Sequence, residues 1–433
     1  MKKLYIFLLL IILPISVNAK DITSNCKITI DDKEYSKITD DKYTTYQNFN
    51  KDNKLKIICD EDINYVYIYY NIKSSKGLLN DKQKVGENNF LHELIKLENI
   101  SKEVTINYEE DYSIAEIYVF NNESLPDWVE DWKILDKADL MLFSTHADDE
   151  QLFFAGLMPT YIDKGKKIQV IYFTNHYNNT NRYHEQLEGL WAIGIKYYPI
   201  ISTFPDAYST TLEAATTNLE RAGYSRDDAI KYEVEQIRRF KPLVVVGHDE
   251  KGEYSHGQHI LCTDTLKEAI LKASDKEYDN NSLEKYNVWS ISKLYLHLYD
   301  QNKIILNYDT PLESYNGMTA YEVSKLGYAK HYSQQYTWFT AWLKGEKGEY
   351  TKATQIKTYN PAYYGLYYTT VGEDQNKNDM FENIVVKNPT INFKEKSKEI
   401  INDIKNNNYN AYYFIGAFII TLILLIIVFR KRN

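Results

Sequence analysis

The chain has 433 residues and a formal net charge of −9. No run of lysines and arginines occurs outside the two termini, so the basic face that phosphate neutralisation needs is missing and nucleic acid is excluded as a partner. The length is enough for two domains and an anchor.

Residues 1–19 read as a secretory signal. Lys2 and Lys3 precede an apolar core from Leu4 to Val17, and Val17, Asn18 and Ala19 form a small-residue cleavage pattern. Over residues 20–124, short alternating runs recur at 27–30, 55–58, 65–70, 104–108 and 115–120, separated by Asp, Asn, Lys and Gly. They predict a small all-β, sandwich-like domain. Cys26 and Cys59 fall in neighbouring strand-like segments, and export would permit a disulfide between them. Cys262 is then the odd thiol, read as buried and inert. Residues 125–138 form a joint in which Trp128 and Trp132, four apart, share one helical face.

From residue 139 to 386 strand and helix patterns alternate. Strands are expected at 140–144, 168–174, 197–201, 243–247 and 293–298, and helices at 151–164, 182–193, 226–240 and 259–272. This is an α/β pattern with a mostly parallel, Rossmann-like sheet, whose binding site is expected at the carboxyl edge of the strands. Residues 387–410, rich in Lys and Asn, read as a polar spacer, and 411–429 as a transmembrane helix. Arg430, Lys431 and Arg432 mark residues 430–433 as a cytoplasmic tail, so the expected partner is a membrane and the expected location of the catalytic part is outside it, at the cell surface.

The chemistry is concentrated in two stretches. The apolar run from Leu140 to Ser144 gives way to Thr145, His146, Ala147, Asp148, Asp149 and Glu150, and a helix-like pattern resumes at Leu152. The acidic pair therefore sits between a strand and a helix N-terminus. By themselves Asp148 and Asp149 could equally cap that helix. A second apolar run, Pro242 to Gly247, leads into a twelve-residue stretch with His248, His256 and His259, three of the nine histidines of the chain. His146 and Asp149, three apart, can face one ion, and His259 can complete a set of two imidazoles and one carboxylate. Such a set leaves positions open for water, as catalytic zinc sites do.

The segments Thr145-His-Ala-Asp-Asp-Glu150 and Gly252-Glu-Tyr-Ser-His-Gly-Gln-His259 resemble the paired motifs of the N-acetylglucosaminyl-phosphatidylinositol de-N-acetylases, the LmbE-like deacetylases, over Ala138 to Val386. The resemblance implies a zinc-dependent N-deacetylase acting on an N-acetylated amino sugar in a glycan or glycolipid. It implies His146, Asp149 and His259 as ligands of a divalent metal, most simply Zn2+, and Asp148 as general base. His256 becomes an acid or electrostatic partner, and Tyr254 helps to hold the oxyanion. Arg182 and Asp206 fall where the family contacts substrate, although they also read as a helix-start ion pair and a turn aspartate. Ala147 stands where proline is usual and Gln258 where aspartate is common, but neither change removes a ligand or the base. His248 is read as lying behind the site or in a solvated loop, His176 and His184 as surface residues, His92 as structural, and His331 as structural or behind the site. The competing readings are hydrolysis of another amide, and a passive surface glycan-binding protein.

Overall fold

The structure is a computed structural model that describes residues 20–121, 124–335 and 350–385. The expected signal segment, 1–19, and the expected spacer, anchor and tail, 387–433, lie outside these residues. Among the described residues no helix is long and apolar enough to cross a membrane. The expectation of a membrane partner through a C-terminal helix, with the catalytic part held outside, is corrected accordingly.

The described residues up to Asn383 fold as one unit built on two sheets. The first is wholly antiparallel, from β1 (Cys26–Ile30), β2 (Gln47–Phe49), β3 (Lys54–Tyr70), β4 (Gly77–Leu79), β5 (Gln83–Val85), β6 (His92–Tyr108) and β7 (Tyr112–Phe120). Burial alternates along the start of β3, where Leu55, Ile57 and Cys59 point inward, as a half-solvated strand requires. From Tyr65 to Tyr70 every residue is buried. The reason is a change of neighbour: β1 pairs with residues 55–59 of β3 and β7 with residues 65–70, while β6 runs along both halves through register shifts. The predicted sandwich is therefore one continuous hydrogen-bonded sheet.

Cys26 and Cys59 sit opposite each other in the β1/β3 register and form a disulfide, while Cys262 is a buried free thiol. The cross-link closes a separation of 33 residues. Loop-closure entropy then predicts a loss of roughly 3.7 kcal/mol on reduction. Urea midpoints with and without reductant should differ in the natural chain and coincide in a Cys26→Ser, Cys59→Ser variant. Coincidence in the natural chain would refute the estimate.

The second sheet contains β8 (Leu140–Ser144), β9 (Ile168–Tyr172), β10 (Ile200–Ile201), β11 (Val244–Gly247), β12 (Lys293–His297), β13 (Lys303–Ile305) and β14 (Tyr363–Thr369), in the order β10-β9-β8-β11-β12-β14-β13. Pairing is parallel from β10 to β12 and antiparallel at β14 and β13. The expected mostly parallel, Rossmann-like sheet is corrected to a mixed one, because β13 and β14 come from a part of the sequence where no strand is predicted. The chain winds outward from β8 through β9 to β10, then returns to place β11 on the other side of β8. Strand order thus reverses between β8 and β11, where an open α/β sheet leaves a crevice at its carboxyl ends.

Around this sheet lie α1 (Asp149–Leu152), α2 (Leu157–Asp163), α3 (Asn181–Ala192), α4 (Leu212–Arg221), α5 (Arg226–Phe240), α6 (Gly257–Lys272), α7 (Asn280–Tyr286) and α8 (Ala320–Tyr328). Helix α5 matches its predicted bounds because its signals are local. Ser225 and Asp228 form a capping box, Ile230, Val234 and Ile237 recur at helical spacing into the core, and Lys241 leaves the helix in the left-handed conformation before Pro242. The single helix expected at 151–164 is instead two short ones. Gly156 breaks it at φ +85, where an added Cβ would lie 2.6 Å from the Tyr308 ring.

Candidate active site

Two loops meet at the crevice. The β8–α1 turn carries His146, Asp148 and Asp149, and the segment after β11 carries His248, Glu253, Tyr254, His256 and His259. Apart from Tyr254, which is half-buried, all of these side chains are buried. Helix capping does not account for the acidic pair. Asp148 occupies the N-cap position of α1 yet its side chain accepts no capping hydrogen bond, and Asp149 instead accepts from the backbone N–H of His146 at 2.7 Å.

Asp149 is the centre of one group. Its Oδ2 lies 3.0 Å from His146 Nδ1 and 3.1 Å from His259 Nε2, and these two nitrogens are 3.2 Å apart. The hydrogen bonds around them fix their tautomers. His259 Nδ1 donates to Glu253 at 2.8 Å, and His146 Nε2 donates to Gln258 Oε1 at 3.1 Å, an oxygen identified by the Ala207 N–H that also donates to it. The remaining nitrogen of each ring therefore turns a lone pair toward the carboxylate. Three electron-rich atoms so close together require positive charge among them. Tetrahedral neighbours at zinc–ligand distances of about 2.0 Å would stand roughly 3.3 Å apart, so the donor set fits a divalent ion. Titration expresses the same demand: burial would lower the pKa of His146, but Asp149 and Asp206 raise it to about 10.

Two other trios, His146 with His256 and His259, and Asp149 with His248 and His259, also bring donor atoms within 4.8 Å. His248 is already committed, since its Nε2 accepts from the Thr145 N–H at 3.0 Å and its Nδ1 donates to Glu253 at 2.8 Å. His256 caps α6, its Nδ1 accepting from the Gln258 N–H. In the trio centred on Asp149 each atom keeps a lone pair for an ion: Asp149 Oδ2 accepts one backbone N–H, from His146, and the two imidazole nitrogens donate their other ring N–H elsewhere.

Asp148 has different surroundings. Arg182, in the first turn of α3, donates to its Oδ1 at 3.2 Å and to the carbonyl of Ala147 at 2.9 Å, and lies 3.5 Å from Asp206 Oδ2. Burial pushes the Asp148 carboxyl up to about 6, with Arg182 opposing and Asp149 adding to the rise. For Asp149 the effect of burial is outweighed by His259 and His146, which hold its carboxyl well below the usual range. Adjacent carboxyls thus have opposite proton affinities, a pattern that assigns them different work.

Tyr254 stands at φ +45 and Ser255 at φ +60, a left-handed pair that sets the Tyr254 ring against Phe153 and His256. Burial and the Asp149 and Asp148 carboxylates keep its phenol protonated. Asp206 lies at the more open side of the site, with a third of its side chain exposed, facing His146 at 3.4 Å and His176 at 3.3 Å. The structure therefore gathers His146, Asp148, Asp149, Arg182, Asp206, Tyr254, His256 and His259 into one site.

Several residues in and around the site take roles that the sequence reading did not give them. Glu253 is fully buried and accepts from three imidazoles: His248 and His259 on one oxygen at 2.8 Å, and His297 on the other at 2.6 Å. An acidic residue between two histidines, with a third histidine closing the adjacent parallel strand, is the signal that points to it. His176 and His184, expected at the surface, are buried. His176 accepts the Ala147 N–H at 3.0 Å and so braces the turn that carries Asp148. His331 contacts Glu150 at 2.8 Å, and Glu150 in turn accepts the Asp148 N–H at 2.9 Å.

A family match falls on the same stretch of chain. The family description GlcNAc-PI de-N-acetylase matches residues 141–270, the span from β8 into α6. These residues are a PIG-L domain. Over 179 residues the chain is 24% identical to a 1D-myo-inositol 2-acetamido-2-deoxy-alpha-D-glucopyranoside deacetylase of Geodermatophilus obscurus, covering 36% of this chain and 60% of that relative's length. Among solved structures, an N,N'-diacetylchitobiose deacetylase from Pyrococcus horikoshii is 18% identical, with a TM-score of 0.32 over 46% of this chain and 71% of that one. A 4-carboxy-2-hydroxymuconate hydratase from Pseudomonas putida is 15% identical, with a TM-score of 0.34 over 55% and 98%. Likenesses at that level do not discriminate between chemistries, so the activity of the PIG-L domain has to be argued from its own residues.

Proposed function

We propose that the chain is a zinc-dependent N-deacetylase that removes the acetyl group from an N-acetylated amino sugar. The observation that carries the reading is the convergence of Asp149 Oδ2, His146 Nδ1 and His259 Nε2 beside a second carboxylate, Asp148, that is not part of the group. Zinc held by those three atoms would supply a Lewis acid and lower the pKa of water toward neutrality. Asp148, oriented by Arg182, takes the proton as a water oxygen attacks the amide carbonyl. The carbonyl electron pair moves to oxygen, where the Tyr254 hydroxyl and the Nε2–H of His256 donate to it. His256 serves as a neutral donor, because its Nδ1 already accepts from the Gln258 N–H. When the C–N bond breaks, the nitrogen takes the proton from Asp148, and acetate and a free amine leave. Asp206, at the more open side of the site, and Arg182 beside it would receive sugar hydroxyls.

Acetate release from N-acetylglucosaminyl-inositol, N-acetylated chitooligosaccharides and N-acetylglucosaminyl lipids, with and without chelator, tests this reading. Release from at least one sugar, abolished by chelator and restored by zinc, is expected. Release only from non-sugar amides would transfer the site to another substrate class, and none from any amide with zinc present would end the proposal.

Glu253 should matter through His259 without touching substrate. Glu253→Gln removes the charge that favours the Nδ1–H tautomer, and such partners of ligand histidines typically account for about 10–100-fold in metal affinity. Competition with a chromophoric chelator should register a loss of that size, together with a lower melting temperature from three buried imidazoles left without a carboxylate. Unchanged affinity would show that His259 needs no such orientation.

A further inference from the structure

Away from the active site, between the first sheet and α3, the protein has a cleft of about 1280 Å3. None of the metal-site or catalytic residues lines it. Pockets for a single small ligand run roughly 300–1,000 Å3, so this one has room for more than one sugar ring. Its walls present aromatic faces, among them Trp128, 43% exposed, and Tyr332, 53% exposed. Large rings left open to water inside a concave surface are stacking platforms for the apolar faces of sugars.

The charge of the cleft is lopsided. Asp21, Asp41, Asp127, Glu130, Asp131 and Glu188 line it, against Lys196 and Lys330. Both lysines are engaged, Lys196 over the Trp191 ring at 3.2 Å and Lys330 with Glu188 at 3.6 Å. Glu130 is taken by His92 and Trp132, and Asp131 by Lys133. Among the described residues neither Asp41 nor Asp127 has an ion-pair partner. Burial, with Glu130 adding and Lys330 opposing, pushes the Glu188 carboxyl up to about 7.

We propose that this cleft is a second glycan-binding site, which takes a short run of amino sugars whose nitrogens carry no acetyl group and are cationic. The aromatic faces meet the rings, and the carboxylates meet the ammonium groups. The choice of amino sugar rests on the deacetylase reading, since that reaction produces the free amine. Helix α3 joins the two sites: Arg182 in its first turn reaches Asp148, and Trp191, nine residues on, lines the cleft, roughly 13 Å along the axis. A polymer deacetylated at the active site could therefore be retained by residues it has already lost acetyl groups from.

The test is calorimetric titration of the full chain, carrying Asp148→Asn to prevent turnover, with a glucosamine tetramer, an N-acetylglucosamine tetramer and cellotetraose. The amine form should bind at least about ten-fold more tightly than the other two and lose affinity with added salt. Trp128→Ala should weaken it by about ten-fold. Because Trp128 also packs on Tyr118 and Phe120, the exposed pair Asp41→Asn and Asp127→Asn provides a variant that leaves that packing intact, and it should lose the salt dependence and several-fold in affinity. Equal binding of all three tetramers, or amine binding unaffected by both variants, overturns the proposal. Acetate release by the unsubstituted chain is measured separately. Amine binding lost with these variants in a chain that releases no acetate would uphold the cleft while rejecting the deacetylase reading, and acetate release without cleft binding would do the reverse.

Discussion

Asp148→Asn should lower turnover by roughly 10²–10⁴-fold, the usual contribution of a general base, while metal content and melting temperature stay close to those of the unsubstituted chain. The substitution is nearly isosteric and keeps an oxygen for Arg182, which donates to Oδ1 at 3.2 Å. What it removes is the capacity to take a proton. A purely capping aspartate predicts the opposite pattern, with turnover intact and a stability cost below the ~0.5–2 kcal/mol typical of replacing a cap by Ala, because Asn is itself a good cap. The absence of any capping hydrogen bond from the Asp148 side chain already weighs against that pattern. Full activity with metal bound would refute the assigned role of Asp148 even if the domain still hydrolysed amides by another route.

How much of this site was legible in the sequence depended on how local each signal was. The β8–α1 turn could be read because an apolar strand, a turn and a helix start follow one another without interruption, and α5 because its cap, its period and its stop are all within its own residues. The convergence of His146 and Asp149 with His259 spans 113 and 110 residues of sequence; residue types offered it as a possible set of two imidazoles and one carboxylate, and the resemblance of two motifs singled it out. Glu253, His297 and His176 were not, because their roles are set by which strands lie side by side. His297 reaches Glu253 only because β12 pairs with β11, and His176 reaches Ala147 only because β9 pairs with β8. The same limit explains the sheet. β14 lies antiparallel to β12, and its stretch Tyr-Tyr-Gly-Leu-Tyr-Tyr from Tyr363 to Tyr368 alternates too weakly to announce a strand. Gly156 shows the reverse case, a local glycine whose necessity comes from the distant Tyr308 ring.

Asp149→Asn and His259→Ala should abolish stoichiometric metal, and with it essentially all activity, whereas the unsubstituted chain purified without added metal should carry about one divalent ion, with zinc favoured by two imidazoles and one carboxylate. The two substitutions act on different halves of the same arrangement. Asp149→Asn removes the charge toward which His146 Nδ1 and His259 Nε2 converge at 3.0 and 3.1 Å, leaving a neutral amide as a poorer donor. His259→Ala removes one lone pair and also deprives Glu253 of one of its three donors, so it should lower the melting temperature more than Asp149→Asn does. Metal removal by chelator should destabilise the unsubstituted chain, since a ligand that binds only the folded state stabilises it by RT ln(1 + [L]/Kd). Neither variant should respond to the chelator, because each has lost the ion beforehand. Elemental analysis beside thermal melts decides the matter, and equal metal content in the unsubstituted chain and His259→Ala would remove His259 from the metal centre and with it the geometry on which the catalytic assignment stands.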